Sequence, residues 1–161
     1  MTIYMVKKEY QIQGLVQAKS TAKAMMKNKP VSLKYSLEIM SNIKGMRVDK
    51  AITWLNRIIR MEEFLPLRRY NKKVGHKRGE AKGFAKAGRY PIRCLKAFVE
   101  LLNSVKANAD YKGLDSENLL IAHMFASQGF GRRSYQPQGR ISGKARSSKS
   151  THLEVVVREA R

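Results

Sequence analysis

Apolar residues recur at helical spacing in three stretches of the chain, and each stretch has its own start and stop signals. The first, "SLEIMSNIKG", is predicted to begin with Ser36 as its N-cap and to end before Gly45. The second, "DKAITWLNRIIR", is predicted to begin at Asp49. The third follows Pro91, which suits a first helical turn, and ends near Gly113.

Trp54 continues the apolar face of the second predicted helix, and Cys94 lies beside the apolar face of the third. Trp54 is therefore predicted to be a core residue rather than a stacking platform. Cys94 is predicted to be a packed small hydrophobe rather than a reactive thiol. Because it is the only cysteine, no internal disulfide is expected.

Two stretches close to the C-terminus have the pattern of β-strands, "NLLIAHMF" and "HLEVVVRE". In the second, Leu153, Val155 and Val157 alternate with residues that are expected to point to the opposite face. A further short strand is predicted at "PVSLK". Together these patterns predict an α+β fold, in which three helices pack on one face of a small antiparallel sheet.

Residues 127–150, between the two strands, contain no acidic residue and almost nothing aliphatic. Consecutive strands joined in this way form a hairpin, so we predict a long, protruding basic β-hairpin, with Pro137 in a turn or distorted tip. A two-stranded ribbon without an apolar face is marginal in water. We therefore expect this hairpin finger (residues 127–150) to be mobile in the free protein and clamped by a partner. A disordered basic loop is the alternative.

The length of 161 residues fits one domain. Residues 31–126 together with 151–161 are assigned to its globular α+β part, and the hairpin finger belongs to the same domain. Residues 1–30 are polar and basic and show no clear period. They are assigned to a basic N-terminal extension that lies on a partner.

The helical period breaks in residues 65–93, a basic loop in which glycines and cations surround a single acid, Glu80. A loop this long in a compact domain is functional, disordered or held by a partner. Aromatic side chains lie among the cations of the loop and the finger, and for them stacking on unpaired bases and ordinary packing are equally open. They are Tyr70, Phe84, Tyr90 and Tyr135.

The predicted RNA contacts are the cations of the basic loop and the hairpin finger, with one histidine and two tyrosines among them. In the loop they are Arg68, Arg69, Tyr70, Lys72, Lys73, His76, Lys77, Arg78, Lys82, Lys86 and Arg89. In the finger they are Arg132, Arg133, Tyr135, Arg140, Lys144, Arg146 and Lys149. Contacts of this kind reach phosphates, dominate affinity and carry little sequence information.

The charge balance supports a polyanionic partner. Lysine and arginine total 33 and aspartate and glutamate total 12, a net charge of +21. Self-repulsion at this charge opposes compaction unless an anion offsets it. Nucleic acid is the commonest such partner and an anionic membrane surface is the rival. The N-terminus lacks the apolar core of a signal peptide, and no run approaches the ~18 apolar residues of a membrane span, so a soluble intracellular protein is expected.

No arrangement of residues indicates catalysis, a cofactor or a metal site. "GRISGKARS" resembles a P-loop, but its glycines are too close together and Ala145 replaces the hydroxyl that would hold magnesium. His123 and His152 are placed to face each other across the hairpin base, without further ligands for a metal. Five carboxylates occur singly or at helix positions expected to face solvent, so no acid/base pair is predicted: Glu38, Glu62, Glu63, Glu100 and Glu117.

Six motifs, in a fixed order along the chain, carry a resemblance to a known family. They are "IKGMRVDKAITWLNRI", "LRRYNKKVGHKRG", "GRYP", "KANADYKGLD", "RRSYQPQGR" and "THLEVVV". The chain resembles the large-subunit ribosomal proteins of the universal L-twenty-two family, called L-seventeen in eukaryotes, over residues 31–159. Its basic loop looks like that of the archaeal and eukaryotic branch, and "RRSYQPQGR" looks more eukaryotic than archaeal.

The resemblance implies a structural constituent of the large ribosomal subunit in the cytoplasm. The implied partners are large-subunit rRNA, neighbouring ribosomal proteins and the nascent polypeptide, with no membrane contact and no homo-oligomer. In this family a long hairpin penetrates the rRNA, and its tip helps to line the peptide exit tunnel. Carried over, the tunnel-proximal tip comprises Arg132, Arg133, Ser134, Tyr135, Gln136, Pro137, Gln138, Gly139 and Arg140. The chain departs from the family at Gln136 and Pro137, where an arginine–alanine pair is common.

A free-standing RNA chaperone or architectural nucleic-acid-binding protein is the alternative function. It shares the steep salt dependence of RNA binding, so stoichiometric residence in ribosomes is what separates the two. A membrane-surface protein is less favoured, because that class uses a basic amphipathic helix, whereas the cations here concentrate in the loop and the finger.

Overall fold

The computed structural model of the chain describes residues 10–12, 14, 19–79, 81, 83 and 85–160. Three helices lie wholly within these residues: α1 (Leu33–Ile43), α2 (Val48–Ile59) and α3 (Ile92–Tyr111). The strands described there are β1 (Thr21–Lys29), β2 (Leu65–Pro66), β3 (Gly88–Arg89), β4 (Leu119–Gln128), β5 (Arg132–Tyr135), β6 (Ala145–Ser148) and β7 (Thr151–Glu159). The predicted α+β fold, with helices packed on a small antiparallel sheet, is confirmed.

Strand β7 is the centre of the main sheet, with β1 on one side and β4 on the other, both antiparallel to it. On one face of β7, the side chains of Leu153, Val155 and Val157 are fully buried, as their alternation predicted. Helix α3 packs across β1 and β7, α1 packs against β4, and α2 packs against α3. The hydrophobic core therefore lies between this face and the helices.

The opposite face of β7 is also buried, which the alternation did not predict. Val156 is 0% exposed and Glu154 only 2%. The Gln11 amide donates to Glu154 Oε1 at 3.2 Å, so residues near the N-terminus cover part of this face. His123 Nε2 lies 3.5 Å from the same oxygen. Burial, and secondly the Glu154 carboxylate, raise the pKa of Tyr10 on this side of the sheet.

Strand β1 lies within the range 1–30 that the sequence pattern assigned to an N-terminal extension. Ala22 and Ala24 pair with Val157 and Val155 of β7 and are buried, so residues 21–29 belong to the globular part. The strand escaped prediction because its inward positions are small and its sequence, "TAKAMMKNK", is rich in lysine. Residues 1–9, 13 and 15–18 of the predicted extension, and residue 161 at the other end, lie outside the described residues.

Helix α1 begins at Leu33, earlier than predicted. The short strand predicted at "PVSLK" is wrong, because its last two residues, Leu33 and Lys34, form the start of this helix. Ser32 is the N-cap, whereas Ser36 is buried inside the helix and its hydroxyl donates to the Ser32 carbonyl at 2.9 Å. Helix α2 begins within one residue of its predicted start, and Pro91 is the N-cap of α3. Gly45 and Gly113 have φ angles of +82° and +71° just after α1 and α3, as helix-ending glycines do.

The predictions for Trp54 and Cys94 are confirmed, since they are 7% and 4% exposed. The Trp54 indole donates to Glu63 Oε2 at 3.0 Å, and Arg57 forms an ion pair with the other oxygen of that carboxylate. Burial raises the pKa of the Cys94 thiol to about 11, against a weaker opposing effect of its contact with Ser36. The thiol is therefore protonated at neutral pH.

Candidate nucleic-acid interface

The basic loop is folded by its own backbone in the part that the structure describes. Strands β2 and β3 pair at its base, and the amide of Leu67 donates to the carbonyl of Ala87 at 2.9 Å. Farther out, Lys77 donates to the carbonyl of Lys86 at 2.9 Å. The basic loop was predicted to be functional, disordered or held by a partner. Disorder is therefore wrong for the two chain segments that these hydrogen bonds join.

Glu38 of α1 holds the start of the basic loop. Its Oε1 accepts the amides of Arg69 and Tyr70 at 2.8 and 2.7 Å, and its Oε2 accepts the amide of Arg68 at 3.1 Å. Glu38 is 1% exposed, so the expectation that this helix carboxylate faces solvent is wrong, and Glu63 is also buried, at 7% exposed. Both are buried because partners distant along the chain, or across a turn, satisfy their oxygens.

Most of the predicted contact residues of the basic loop lie at the surface. Those with exposed side chains are Arg68, Arg69, Lys72, Lys73, His76, Lys77, Arg78 and Lys86. Tyr70 and Arg89 are half-buried. Lys82 lies outside the described residues, as do Glu80 and Phe84.

Three of the predicted loop residues are engaged within the protein. Arg89 Nη1 donates to the Gly88 carbonyl at 2.8 Å. The Lys34 ammonium lies 5.5 Å from the centre of the Tyr70 ring, and the Lys77 ammonium lies 5.6 Å from the centre of the Tyr90 ring. A lysine thus occupies one face of each ring, which favours packing over stacking on a base.

Strands β5 and β6 continue the β4–β7 pair outward as a second antiparallel ladder. At the junction, the Gly129 amide donates to the Ser150 carbonyl at 2.8 Å. The side chain of Asn28, from β1, also reaches the junction, where its Oδ1 accepts the Phe130 amide at 3.1 Å and the Ser150 hydroxyl at 3.3 Å. The finger therefore begins where the β4–β7 ladder ends and the β5–β6 ladder has not yet started. Hydrogen bonds from Asn28 join this junction to the main sheet.

The turn of the hairpin finger spans residues 136–144. The Gln136 amide donates to the Lys144 carbonyl at 3.0 Å, and the Gly143 amide donates back to the Gln136 carbonyl at 2.9 Å. Of the residues predicted as the tunnel-proximal tip, Arg132–Tyr135 form β5 in the arm and residues 136–140 lie in the turn. The position of a turn follows from the cross-strand register, which a segment without apolar alternation does not specify.

Six cations lie along the hairpin finger, and all are exposed. They are Arg132, Arg133, Arg140, Lys144, Arg146 and Lys149. Within the part of the chain that the structure describes, none of them forms an ion pair. Consecutive strand residues such as Arg132 and Arg133 point to opposite faces, so the ribbon presents positive charge on both sides.

Two exposed apolar side chains of the finger were not predicted as site residues. Phe130 is 71% exposed and Ile141 is 52% exposed, beside the predicted Tyr135 at 66%. Exposed aromatic rings such as those of Phe130 and Tyr135 are of the kind that can stack on unpaired bases. The signal was present in the sequence, because Phe130 stands between two glycines in a segment that has no core to fill.

The two histidines near the hairpin base do not face each other. His123 is opposite Val156 and His152 is opposite Ser127, and His152 Nδ1 accepts the Asn28 amide at 3.2 Å. Among the described residues, no group of three or more His, Cys, Asp or Glu side chains is placed to hold a metal ion. No helix in the same residues is long and apolar enough to cross a membrane.

The fold and its two basic surfaces define a class of protein: a small α+β domain with a basic loop and an acid-free basic hairpin. This shape and charge distribution are typical of proteins that bind nucleic acid.

The chain belongs to the family described as ribosomal protein L22p/L17e, whose model matches residues 24–158. It is similar to "Large ribosomal subunit protein uL22" of Ignicoccus hospitalis, with 43% identity over 140 residues, 86% of this chain and 88% of the relative. The protein of the same name from Methanocaldococcus jannaschii is 39% identical over 157 residues, 98% of each chain. The one from Staphylothermus marinus is 40% identical over 141 residues, 86% of this chain and 88% of the relative.

These findings confirm the family resemblance drawn from the motifs. The relatives named are archaeal, in agreement with the archaeal and eukaryotic branch. The family match begins at residue 24, inside β1, which agrees with the place of that strand in the sheet. Membership of a family of ribosomal proteins also confirms the prediction that the chain is not an enzyme.

Proposed function

We propose that the chain is a structural constituent of the large ribosomal subunit that binds large-subunit rRNA through the basic loop and the hairpin finger, beside neighbouring ribosomal proteins. The observation that carries this proposal is the set of exposed, unpaired cations on both faces of an acid-free ribbon. Such a ribbon has no core of its own, and RNA phosphates around it supply the stabilisation that packing supplies elsewhere. Membership of a ribosomal protein family supports rRNA as the polyanion.

The turn of the hairpin finger, residues 136–144, reaches the wall of the nascent peptide exit tunnel in this proposal. The family resemblance supports this placement, with Gln136, Pro137, Gln138, Gly139 and Arg140 as the turn residues closest to the nascent chain. Arg132–Tyr135, the first four residues of the predicted tip, belong to β5. In this proposal they bind RNA along the arm of the finger and do not line the tunnel.

Sedimentation of a cell lysate, before and after a high-salt wash, tests ribosomal residence. One copy per large subunit that survives the wash is the expected result. A protein that stays at the top of the gradient, or that washes off completely, would instead be a free-standing RNA chaperone or architectural protein.

Charge variants test which surface binds RNA. The triple substitution R132Q/R133Q/R146Q removes three charges from the finger, whereas K44Q/K50Q/K96Q removes three exposed charges from the helices and their ends. Affinity for deproteinised large-subunit rRNA is measured as a function of salt. The finger variant is expected to lower the slope of log K against log salt by roughly 0.7–0.9 for each phosphate that it no longer neutralises, and the helix variant to leave the slope nearly unchanged. Equal slopes in the two variants would refute the assignment of the finger.

Aromatic variants test stacking separately from charge. Phe130→Ala and Tyr135→Ala are each expected to weaken binding to the same rRNA by about tenfold, as the removal of a ring that stacks on a base does. Tyr111→Ala is the control, because Tyr111 is 94% exposed at the end of α3, away from the finger. An equal effect of all three substitutions would argue against stacking.

A photo-reactive residue in place of Gln138 tests the tunnel. In ribosomes that carry a stalled nascent chain, it is expected to crosslink to that chain, while the same residue at position 111 is not. Crosslinks from position 138 to RNA alone would leave rRNA binding in place and refute the contact with the nascent chain.

A further inference from the structure

The carboxylate of Glu38 lies in a cradle of three consecutive amides at the start of the basic loop. The amides of Arg68, Arg69 and Tyr70 point at its two oxygens over 3.1, 2.8 and 2.7 Å. Successive amides that converge in this way form a concave anion site, which in many proteins holds a phosphate. Here a side chain of the same protein fills it.

Because the contact is buried, the carboxylate and the three amides each depend on the other for hydrogen bonds. Glu38 is 1% exposed, and a buried carboxylate is tolerated only when hydrogen bonds replace its hydration. The three amides, in turn, would lose this acceptor if the loop kept the turn without the carboxylate. The charged acceptor makes these bonds stronger than neutral ones. Glu38 and the turn 68–70 therefore fix each other's conformation.

A second contact joins the same helix face to the same turn. Lys34 precedes Glu38 by one helical turn, so the two side chains lie on one face of α1. The Lys34 ammonium sits over the Tyr70 ring, 5.5 Å from its centre. Helix α1, which is packed on the main sheet, thus holds the loop by a backbone contact and by a ring contact.

From this geometry we infer that Glu38 is a positioning residue for RNA binding: it presets the turn from which the loop cations project. The inference rests on the proposed function and deepens it. The side chains of Arg68 and Arg69 are exposed while their amides are held by Glu38. A cation whose backbone is already ordered loses less conformational entropy on binding a phosphate.

Because Glu38 is negatively charged, positioning and simple electrostatics predict opposite changes in RNA affinity when it is replaced. Glu38→Gln removes a negative charge from a protein of net charge +21, which by electrostatics alone strengthens RNA binding. Positioning predicts the opposite, because an amide cannot accept all three bonds. We expect E38Q to bind deproteinised large-subunit rRNA about five- to tenfold more weakly than the wild type. Glu117→Gln, at an exposed site, makes the same charge change and is expected to bind equally or slightly better.

Two further measurements separate positioning from general damage. Unfolding followed by far-UV circular dichroism shows whether E38Q is folded under the binding conditions. If E38Q is unfolded, Glu38→Asp, which keeps the charge and both carboxylate oxygens, is used in its place. In the wild type, hydrogen exchange at the amides of Arg69 and Tyr70 is expected to be slow beside that of Lys72 and Lys73.

The outcomes are distinct. Folded E38Q that binds as well as E117Q, or Arg69 and Tyr70 amides that exchange as fast as those of Lys72 and Lys73, would overturn the role of Glu38. A wild-type protein without salt-dependent affinity for the rRNA would instead overturn the proposed function, and the exchange measurement would still report on the Glu38 contact.

Discussion

The Asn28 side-chain oxygen accepts a hydrogen bond from the Phe130 amide at 3.1 Å, although 102 residues separate the two in sequence. Asn28 sits at an irregularity of β1, with a left-handed φ of +52° that asparagine tolerates better than most residues. Its own amide donates to His152 on β7. Asn28 thus bonds the edge strand β1 to the root of the hairpin finger, which is the junction at Gly129, Phe130 and Ser150.

Replacement of Asn28 is expected to loosen this root. Asn28→Ala removes both bonds to Oδ1 and places alanine in a strained conformation, so we expect a loss of about 1–3 kcal/mol in the free energy of unfolding. Asn28→Gly relieves the strain without restoring the bonds, and Asn28→Asp keeps an acceptor and should stay close to the wild type. Urea unfolding and hydrogen exchange at the Phe130 amide measure these effects. Unchanged exchange at Phe130 in Asn28→Ala would show that the contact is unimportant.

A methyl group is expected to be harmful at Gly129 and harmless at Gly131. A Cβ at Gly129 would lie 2.6 Å from Asn28 Oδ1 and 2.6 Å from Ser150 Oγ, whereas at Gly131 the nearest atom is Ser147 Oγ at 3.5 Å. Gly129→Ala therefore forces the side chains of Asn28 and Ser150 to shift, which should weaken their hydrogen bonds, with an expected loss of roughly 1–3 kcal/mol in the free energy of unfolding. Thermal unfolding of the two alanine variants measures the difference. Similar melting temperatures would contradict the close approach at Gly129.

Hydrogen exchange in the free protein is expected to divide the hairpin at residues 129–131. Strands β4 and β7 carry buried side chains, but every residue of β5 and β6 is exposed. Backbone bonds that no side chain shields open with little free energy, so the β5–β6 amides should exchange far faster than those of β4 and β7. Strong and uniform protection through residues 128–150 would rule out a finger that is mobile without RNA.

Two neighbouring glutamates are expected to contribute very differently to stability. Glu63 accepts the indole N–H of Trp54 at 3.0 Å in a buried position, while the Glu62 side chain is 49% exposed and 3.8 Å from Arg57. Glu63→Ala removes a buried hydrogen bond to Trp54 together with the ion pair to Arg57 and should cost about 1–3 kcal/mol. Glu62→Ala should cost less than ~1 kcal/mol, as exposed ion pairs do. Urea unfolding followed by far-UV circular dichroism compares them, and equal losses would contradict this difference.

Cys94 is expected to be unreactive until the protein unfolds. Burial raises the pKa of its thiol from 9.0 to about 11, so almost no thiolate forms near neutral pH. Because the folded state then holds this proton more tightly than the unfolded state, its contribution to stability is complete below about pH 9 and is lost as the pH rises towards 11. Labelling with a thiol reagent near pH 8 should follow global unfolding, and stability should fall more steeply above pH 9 in the wild type than in Cys94→Ala. Rapid labelling of the native protein would contradict the buried position.

The elements that sequence alone predicted are those with a strong local signal. The apolar stripe around Trp54 and the alternation of Leu153, Val155 and Val157 are properties of a few consecutive residues, so they indicated a helix and a strand without knowledge of their neighbours. The concentration of cations in the basic loop and the finger is likewise a matter of composition. Charge and period therefore determined the fold class and the two basic surfaces, while six ordered motifs carried the family resemblance.

The tertiary structure decided the features that depend on distant partners. Glu38 is buried because amides 30 to 32 residues farther along meet its oxygens, and the lysine-rich β1 is a strand because β7 supplies its hydrogen bonds. The turn of the finger lies at 136–144 because cross-strand bonds set its register. None of these partners leaves a periodic trace in the local sequence, since a hydrogen bond satisfies a polar group wherever along the chain the matching group comes from.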